Sequence, residues 1–178
     1  MKLNLYLSAS IINAPINSHF KSKLDEKRIS LILPQEFTFP DIPHSQFPKK
    51  IYEQCISEME NSDAGIILLD AFGIDCASEA GWYAARNKPL IGIVQANCRF
   101  FQNWMVKGNL NGLLCLDKAI YDAALRDTML TTIPILFTND SHDLTDKIFE
   151  IYDKIIQKSF LTQSLNLNPL SWRTYEKK

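Results

Sequence analysis

The chain has 178 residues, of which 46% are hydrophobic and 22% charged, and a formal net charge of −1. That length suits one domain with a real core, and near-neutral charge gives no electrostatic basis for binding nucleic acid or an anionic membrane. The cysteines, Cys55, Cys76, Cys98 and Cys115, show no CxxC spacing and no accompanying histidine pair. They read as reduced thiols in apolar stretches, with no metal site and no disulfide framework. The start of the chain, "MKLNLYLSASII", is broken by Asn4 and reads as a strand, not a leader. No stretch approaches the ~20 apolar residues of a membrane span, so the reading is a cytoplasmic protein.

In chain order, "LNLYLSA" (3–9) is a first strand. Residues 17–28, "NSHFKSKLDEKR", form a short polar helix or loop, and "ISLILP" (29–34) is a second strand closed by Pro34. Pro34, Pro40, Pro43 and Pro48 make 34–48 a loop. A helix then runs from about 48 to 61, its apolar positions Ile51, Cys55, Ile56 and Met59 recurring at helical spacing. "AGIILL" (64–69) and "PLIGIV" (89–94) are continuous apolar runs, as in strands buried on both faces. A helix from about Cys76 to Arg86 lies between them. "GLLCL" (112–116) is a fifth strand, helices follow near 118–127 and 143–158, and "IPILF" (133–137) is ambiguous. The division is one domain over 1–160 and a C-terminal arm over 161–178.

Strands alternating with helices predict an α/β fold: a doubly wound, flavodoxin-like sheet of about five mostly parallel strands, with helices on both faces. Ligands in such sheets bind beyond the strands' carboxyl ends, at the point where strand order reverses. Here that point lies between the first and third strands, so segments 8–16 and 70–79 should face each other across a cleft.

The second of these segments holds one acid of interest. In "GIDCASEAGWY" (73–83), Asp75 can cap a helix, and Ala77, Ala80, Gly81 and Ala84 form a small-residue face for packing on the sheet. Glu79 lies off that face, but first-turn side chains lean toward the helix N-terminus, so its carboxylate can reach over the strand ends. The helix dipole alone accounts for an acid here. A positioned carboxylate there can also act as a nucleophile toward a sugar carbon.

Four local patterns resemble the nucleoside 2-deoxyribosyltransferase family: "LYLSASI" (5–11), "NSDAGIILLD" (61–70), "ASEAGWYAARNKPLIGIV" (77–94) and "NWMVKGNLNGLL" (103–114). They run in order over roughly residues 3–116, and the Glu-x-Gly-aromatic helix is the most specific of them. The resemblance implies that Glu79 is the nucleophile, oriented by Tyr6, and that Asp70 ends the third strand at the substrate site. It implies that Asn103 and Met105 reach across a subunit interface toward the sugar, and hence a homo-oligomer with shared sites. The implied chemistry is cleavage or exchange of a nucleoside's N-glycosidic bond through a glutamyl-sugar ester, needing neither metal nor organic cofactor.

Two positions depart from the family pattern. Its Asp-x-Gly-Thr aligns with Gly73-Ile74-Asp75-Cys76, so Asp75 is either a displaced catalytic acid or a helix cap. Its acid in the helix before the third strand aligns with Cys55. N-glycoside hydrolysis, a nucleotide substrate, and a non-catalytic nucleotide-sensing module are therefore the alternatives. Ser8 and Ser10 follow the first strand, where they can contact a sugar; Trp82 and Tyr83 either stack on a base or pack. Phe100, Phe101, Trp104 and Met105 form either core or a partner interface.

Overall fold

The structure, a computed structural model, describes residues 2–96 and 98–164. Six strands, β1 (Leu3–Ser8), β2 (Ile29–Ile32), β3 (Ala64–Leu68), β4 (Leu90–Val94), β5 (Gly112–Cys115) and β6 (Ile135–Phe137), pair in parallel in the order β2-β1-β3-β4-β5-β6. The α/β reading holds, with six strands in place of five. The extra strand is the ambiguous "IPILF". It is a short, half-exposed edge strand preceded by Pro134, and proline at a strand's start removes a ladder donor and weakens the signal.

Alternation along each strand sorts the interior into two cores. Leu3, Leu5, Leu7, Ile66, Leu68, Ile91, Ile93 and Leu114 pack with helices α1 (Ala14–Ser22) and α6 (Leu144–Ser164). Tyr6, Ile67, Leu69, Leu90, Val94, Leu113 and Cys115 face the other way, toward α2 (Phe47–Asn61), α3 (Ile74–Ala85), α4 (Trp104–Asn109) and α5 (Lys118–Ala124). β3 and β4 are buried throughout, as expected for central parallel strands covered on both sides.

Gly65 is required by packing. A Cβ there would lie 2.7 Å from the Tyr83 ring and 2.9 Å from Leu90 Cδ1. Tyr83 is thus a core residue, its hydroxyl 3.0 Å from that of Ser62. Trp82 packs edge-on against it and carries Arg86 over its ring. Both rings pack against neighbours within the chain in this way.

α6 continues through 161–164, which the sequence reading assigns to the arm; the rest of that arm, 165–178, lies outside the described residues. Among the described residues no helix is long and apolar enough to cross a membrane, and no group of His, Cys, Asp and Glu could hold a metal ion.

Candidate active site

The strand order reverses between β1 and β3, and the segments leaving these two strands meet there. The Ser10 N–H donates to the Ala71 carbonyl at 2.7 Å. Gly73 packs against Ser10 so closely that a Cβ would sit 3.1 Å from Ser10 Cβ. This contact explains one glycine of "GIDCASEAGWY" (73–83). The other, Gly81, has nothing within 4 Å of its Cβ position, and no packing reason for it is visible.

Because Tyr6 and Ser8 are two apart on β1, both point to the α3 side of the sheet. Both are fully buried. Tyr6 Oη donates to Glu79 Oε1 at 2.6 Å, and Ser8 Oγ donates to Glu79 Oε2 at 2.5 Å. Each oxygen of the Glu79 carboxylate therefore receives one hydroxyl. Such short hydrogen bonds to an ionised acceptor are the strong kind, and two of them fix both the position and the plane of the group.

The buried stripe of α3 is Cys76, Ala80 and Tyr83, not the face of Ala77, Gly81 and Ala84. Spacings of four and three residues give this stripe, and Glu79 lies within it, beside Cys76 and Tyr83. Glu79 is thus on the sheet-facing side of its helix rather than off it. Burial pushes its carboxyl above the ordinary carboxylate range, and the nearby negative charge of Asp75 adds to this. The Ser8 and Tyr6 hydrogen bonds pull the other way.

α3 begins at Ile74, and Gly73 is its N-cap. Asp75 therefore sits inside the first turn, exposed, and does not cap the helix. A glycine cap has no side chain to receive a helical N–H. The Cys76 thiol, in the first turn, instead accepts the cap residue's own N–H, from Gly73, at 3.3 Å. Asp75 is four residues before Glu79, so the two carboxylates share a helix face, and its charge also acts on Cys55.

Cys55, on α2, faces the Tyr6 hydroxyl. Burial pushes its thiol above the usual range, and the negative charges of Glu79 and Asp75 push the same way. Tyr6 is likewise held well above its ordinary range by burial and by Glu79, so its proton stays on the oxygen that donates to Glu79. From the sequence, Cys55 is an apolar helix position and a departure from the family pattern, since a half-buried thiol on a helix carries no further signal of its own.

The other predicted site residues are more dispersed. Asp70 leaves β3 and accepts the backbone N–H groups of Gln95 and Ala96 at 2.6 and 2.7 Å. Its carboxylate thus ties the exit of β3 to that of β4. Asn103 caps α4, its side-chain oxygen accepting the Val106 N–H at 3.3 Å. It also lines a cavity of about 150 Å³ with Leu69, Phe72, Arg99, Phe100 and Val106. Trp104 and Met105 are 71% and 79% exposed, whereas Phe100 is core. A larger cavity of about 440 Å³, lined by Lys23, Asp25, Arg28 and His142 among others, shares no residue with the surroundings of Glu79.

Comparisons with known proteins agree with this architecture. The chain is similar in structure to a 2-deoxyribosyltransferase from the psychrotolerant bacterium Bacillus psychrosaccharolyticus, with 16% identity, a TM-score of 0.54, and coverage of 75% of this chain and 97% of that one. A conserved protein from Enterococcus faecalis V583 aligns over 89% of this chain and 99% of its own, with 18% identity and a TM-score of 0.44. No curated protein matches the chain. The family model described as nucleoside 2-deoxyribosyltransferase matches residues 5–126, a span that takes in β1, helix α3 and the Asn103–Met105 segment, and the chain belongs to that family.

Proposed function

We propose that the protein cleaves or exchanges the N-glycosidic bond of a 2′-deoxynucleoside through Glu79. The observation that carries this reading is the carboxylate itself, half-buried at the sheet's reversal point with both oxygens held by Tyr6 and Ser8. A carboxylate so oriented needs no reorganisation to attack, which is how preorganised groups lower a barrier.

In the first step a Glu79 oxygen forms a bond to C1′ of the sugar, the C1′–N bond breaks, and the departing base takes up a proton. In the second step another base attacks C1′, releases a proton and displaces Glu79. The transition states carry oxocarbenium character, as in retaining glycosidases. Ser8 and Tyr6 orient the carboxylate in the free enzyme, and they accept part of its charge when the ester breaks. Asp75, exposed on the same helix face, is the proposed proton donor to the base. Asp70 acts on the substrate site by fixing the backbone at 95–96. Asn103 and Met105 complete the site of a neighbouring subunit, and the exposure of Trp104 and Met105 supports that role.

Incubation with a 2′-deoxynucleoside and a different free base, followed by chromatography, tests the proposal. New nucleoside is the expected product. Free base alone indicates hydrolysis. Neither product, with the ligand still protecting against heat, indicates a sensing module. Intact-mass measurement after rapid quench should show a deoxyribosyl adduct that is absent from Glu79→Gln.

A further inference from the structure

The neighbouring strands β2, β1 and β3 leave the sheet side by side, and two side-chain amides lace their exits together. Asn17 is buried on α1, and its Nδ2 donates to the Ser10 carbonyl at 3.1 Å and to Gln35 Oε1 at 2.9 Å. Gln35 stands just beyond β2, and its Nε2 donates to the Ala14 carbonyl at 3.0 Å and to Ser18 Oγ at 2.9 Å. The Ser10 N–H carries the line on to the Ala71 carbonyl beyond β3. We infer that Asn17 and Gln35 are positioning residues, which brace the junction of Ser10 with Ala71 and Gly73 and so hold the rim against which a ligand binds.

The two ends of the network fix the direction of every bond in it. The Ser10 and Ala14 carbonyls can only accept. Asn17 therefore turns its NH2 toward Ser10, and Gln35 turns its NH2 toward Ala14, which leaves Gln35 Oε1 to take the second Asn17 proton. Asn17 Oδ1 is buried and accepts nothing among the described residues, so Asn17 works as a double donor. Local capping does not do this task. Ser10 opens a single 3-10 turn, Ile11–Asn13, and Asn13 opens α1, yet neither side chain caps the turn it opens. Within that turn the Ser10 carbonyl receives the Asn13 N–H at 3.0 Å, and Asn17 reaches it from outside.

The reacting groups and the rim are held separately. Tyr6 and Ser8 lie within β1, in register with Gly65 and Ile67 of β3, and α3 is seated by its buried Cys76, Ala80 and Tyr83. Glu79 and its two hydroxyls therefore keep their places when the brace is cut. The segment from Ser10 to Asn13 has left the ladder and depends on it. That segment carries Ile12, and Ile74 follows Gly73 on the other side of the junction; they are 92% and 90% exposed. A ligand bound at the strand exits lies against this edge, so loosening it weakens binding and spares the chemistry.

Amide hydrogen exchange reads the brace without any turnover. In Asn17→Ala the Ser10 amide should exchange about three- to tenfold faster, the scale of one net hydrogen bond, while the amides of β1 and of α3 from Glu79 onward keep their native protection. The kinetic part rests on the base transfer proposed above. There KM should rise by a similar factor, with kcat per folded molecule and the acidic limb of the rate profile unmoved, the pattern of lost uniform binding. A folding defect alone does the reverse: it lowers the rate through the folded fraction and leaves KM as it was. Native protection at Ser10, protection lost evenly along the chain, or an unchanged KM overturns the proposal. Should Asn17→Ala not fold, Gln35→Glu is compared with Gln35→Met. Glutamate keeps one oxygen for Asn17 and can take the Ser18 hydroxyl proton on the other, whereas methionine offers neither. Ser10 should stay protected in Gln35→Glu and lose protection in Gln35→Met, and equal protection in the two overturns the brace. If the native protein transfers no base, the function fails while hydrogen exchange at Ser10 still decides the brace.

Discussion

Helices α3 and α4 both begin beyond a strand's carboxyl end, and both carry residues that the family resemblance assigns to the site, yet their starts are built in opposite ways. At α3 the polar groups turn inward and close on one another: Gly73 to Cys76, Ser8 and Tyr6 to Glu79. At α4 the inward positions are Val106 and Lys107, the latter buried and paired with Asp127 at 2.5 Å. The pair leaves Asn103 to cap its own helix and turns Trp104 and Met105 outward. A buried ion pair of this kind adds little net stability but fixes an orientation. The contrast teaches that the cluster around Glu79 closes within one chain, whereas the start of α4 offers apolar surface whose exposure carries a standing cost.

The largest expected effect breaks the α3 side. Glu79→Gln should reduce exchange at least about 10³-fold, the scale of losing a nucleophile, while its amide oxygen keeps one hydroxyl donor and its NH2 donates to the other hydroxyl. Its stability should move the other way. The carboxyl is raised above its unfolded value, so its favourable contribution exists below the unfolded value and is lost as pH rises through the folded one. Above that window the native protein carries a buried charge that the amide lacks. Melting at pH 8 should accordingly show Glu79→Gln as stable as the native chain or more so, and a large drop would mean that the carboxylate is a structural group.

Next in size are Tyr6→Phe and Ser8→Ala. Each removes a donor that pulls the Glu79 carboxyl down, so kcat should fall about 10- to 100-fold and the acidic limb of the rate profile should move to higher pH. An unmoved limb in both would separate these hydroxyls from the catalytic ionisation.

The α4 side is tested by subunit exchange. Trp104→Lys and Met105→Lys place a charge on a surface proposed to be covered, and light scattering should show smaller particles than for the native protein. If sites are shared, mixing inactive Glu79→Gln subunits with Asn103→Ala subunits should recover part of the activity, because some mixed interfaces then hold both native groups. No recovery, or a native protein that is monomeric, would assign the whole site to one chain.

The smallest effect is at Asp75. Its charge raises Glu79, so Asp75→Asn should move the acidic limb to lower pH, by under about one unit for an exposed like charge. A loss of kcat that is largest with poorly leaving bases would mark Asp75 as the proton donor.

Much of this was legible from residues alone, for reasons that differ by element. β3 and β4 were plain because a strand covered on both faces must be apolar throughout. β6 was not, because a half-exposed, three-residue edge strand behind a proline looks like loop. The start of α3 is hidden in the sequence because its cap is a glycine, which carries no side-chain signal, and because the residue completing the cap is a thiol. The inner face of α3 is hidden for a related reason. Small residues point to a close sheet contact, but the sheet accommodates Tyr83 by giving up a side chain at Gly65.

By itself, the sequence determined that Tyr6 and Ser8 share one face of β1, because side chains alternate along any strand, and that Glu79 stands one turn into a helix. What it did not determine is their meeting, across sequence separations of 73 and 71. That was decided by the parallel order placing β3 beside β1 and by the Gly73–Ser10 contact that seats α3 against the rim. Local periodicity follows from backbone geometry, but which distant surfaces close on each other depends on how the whole set of elements buries its apolar faces at once.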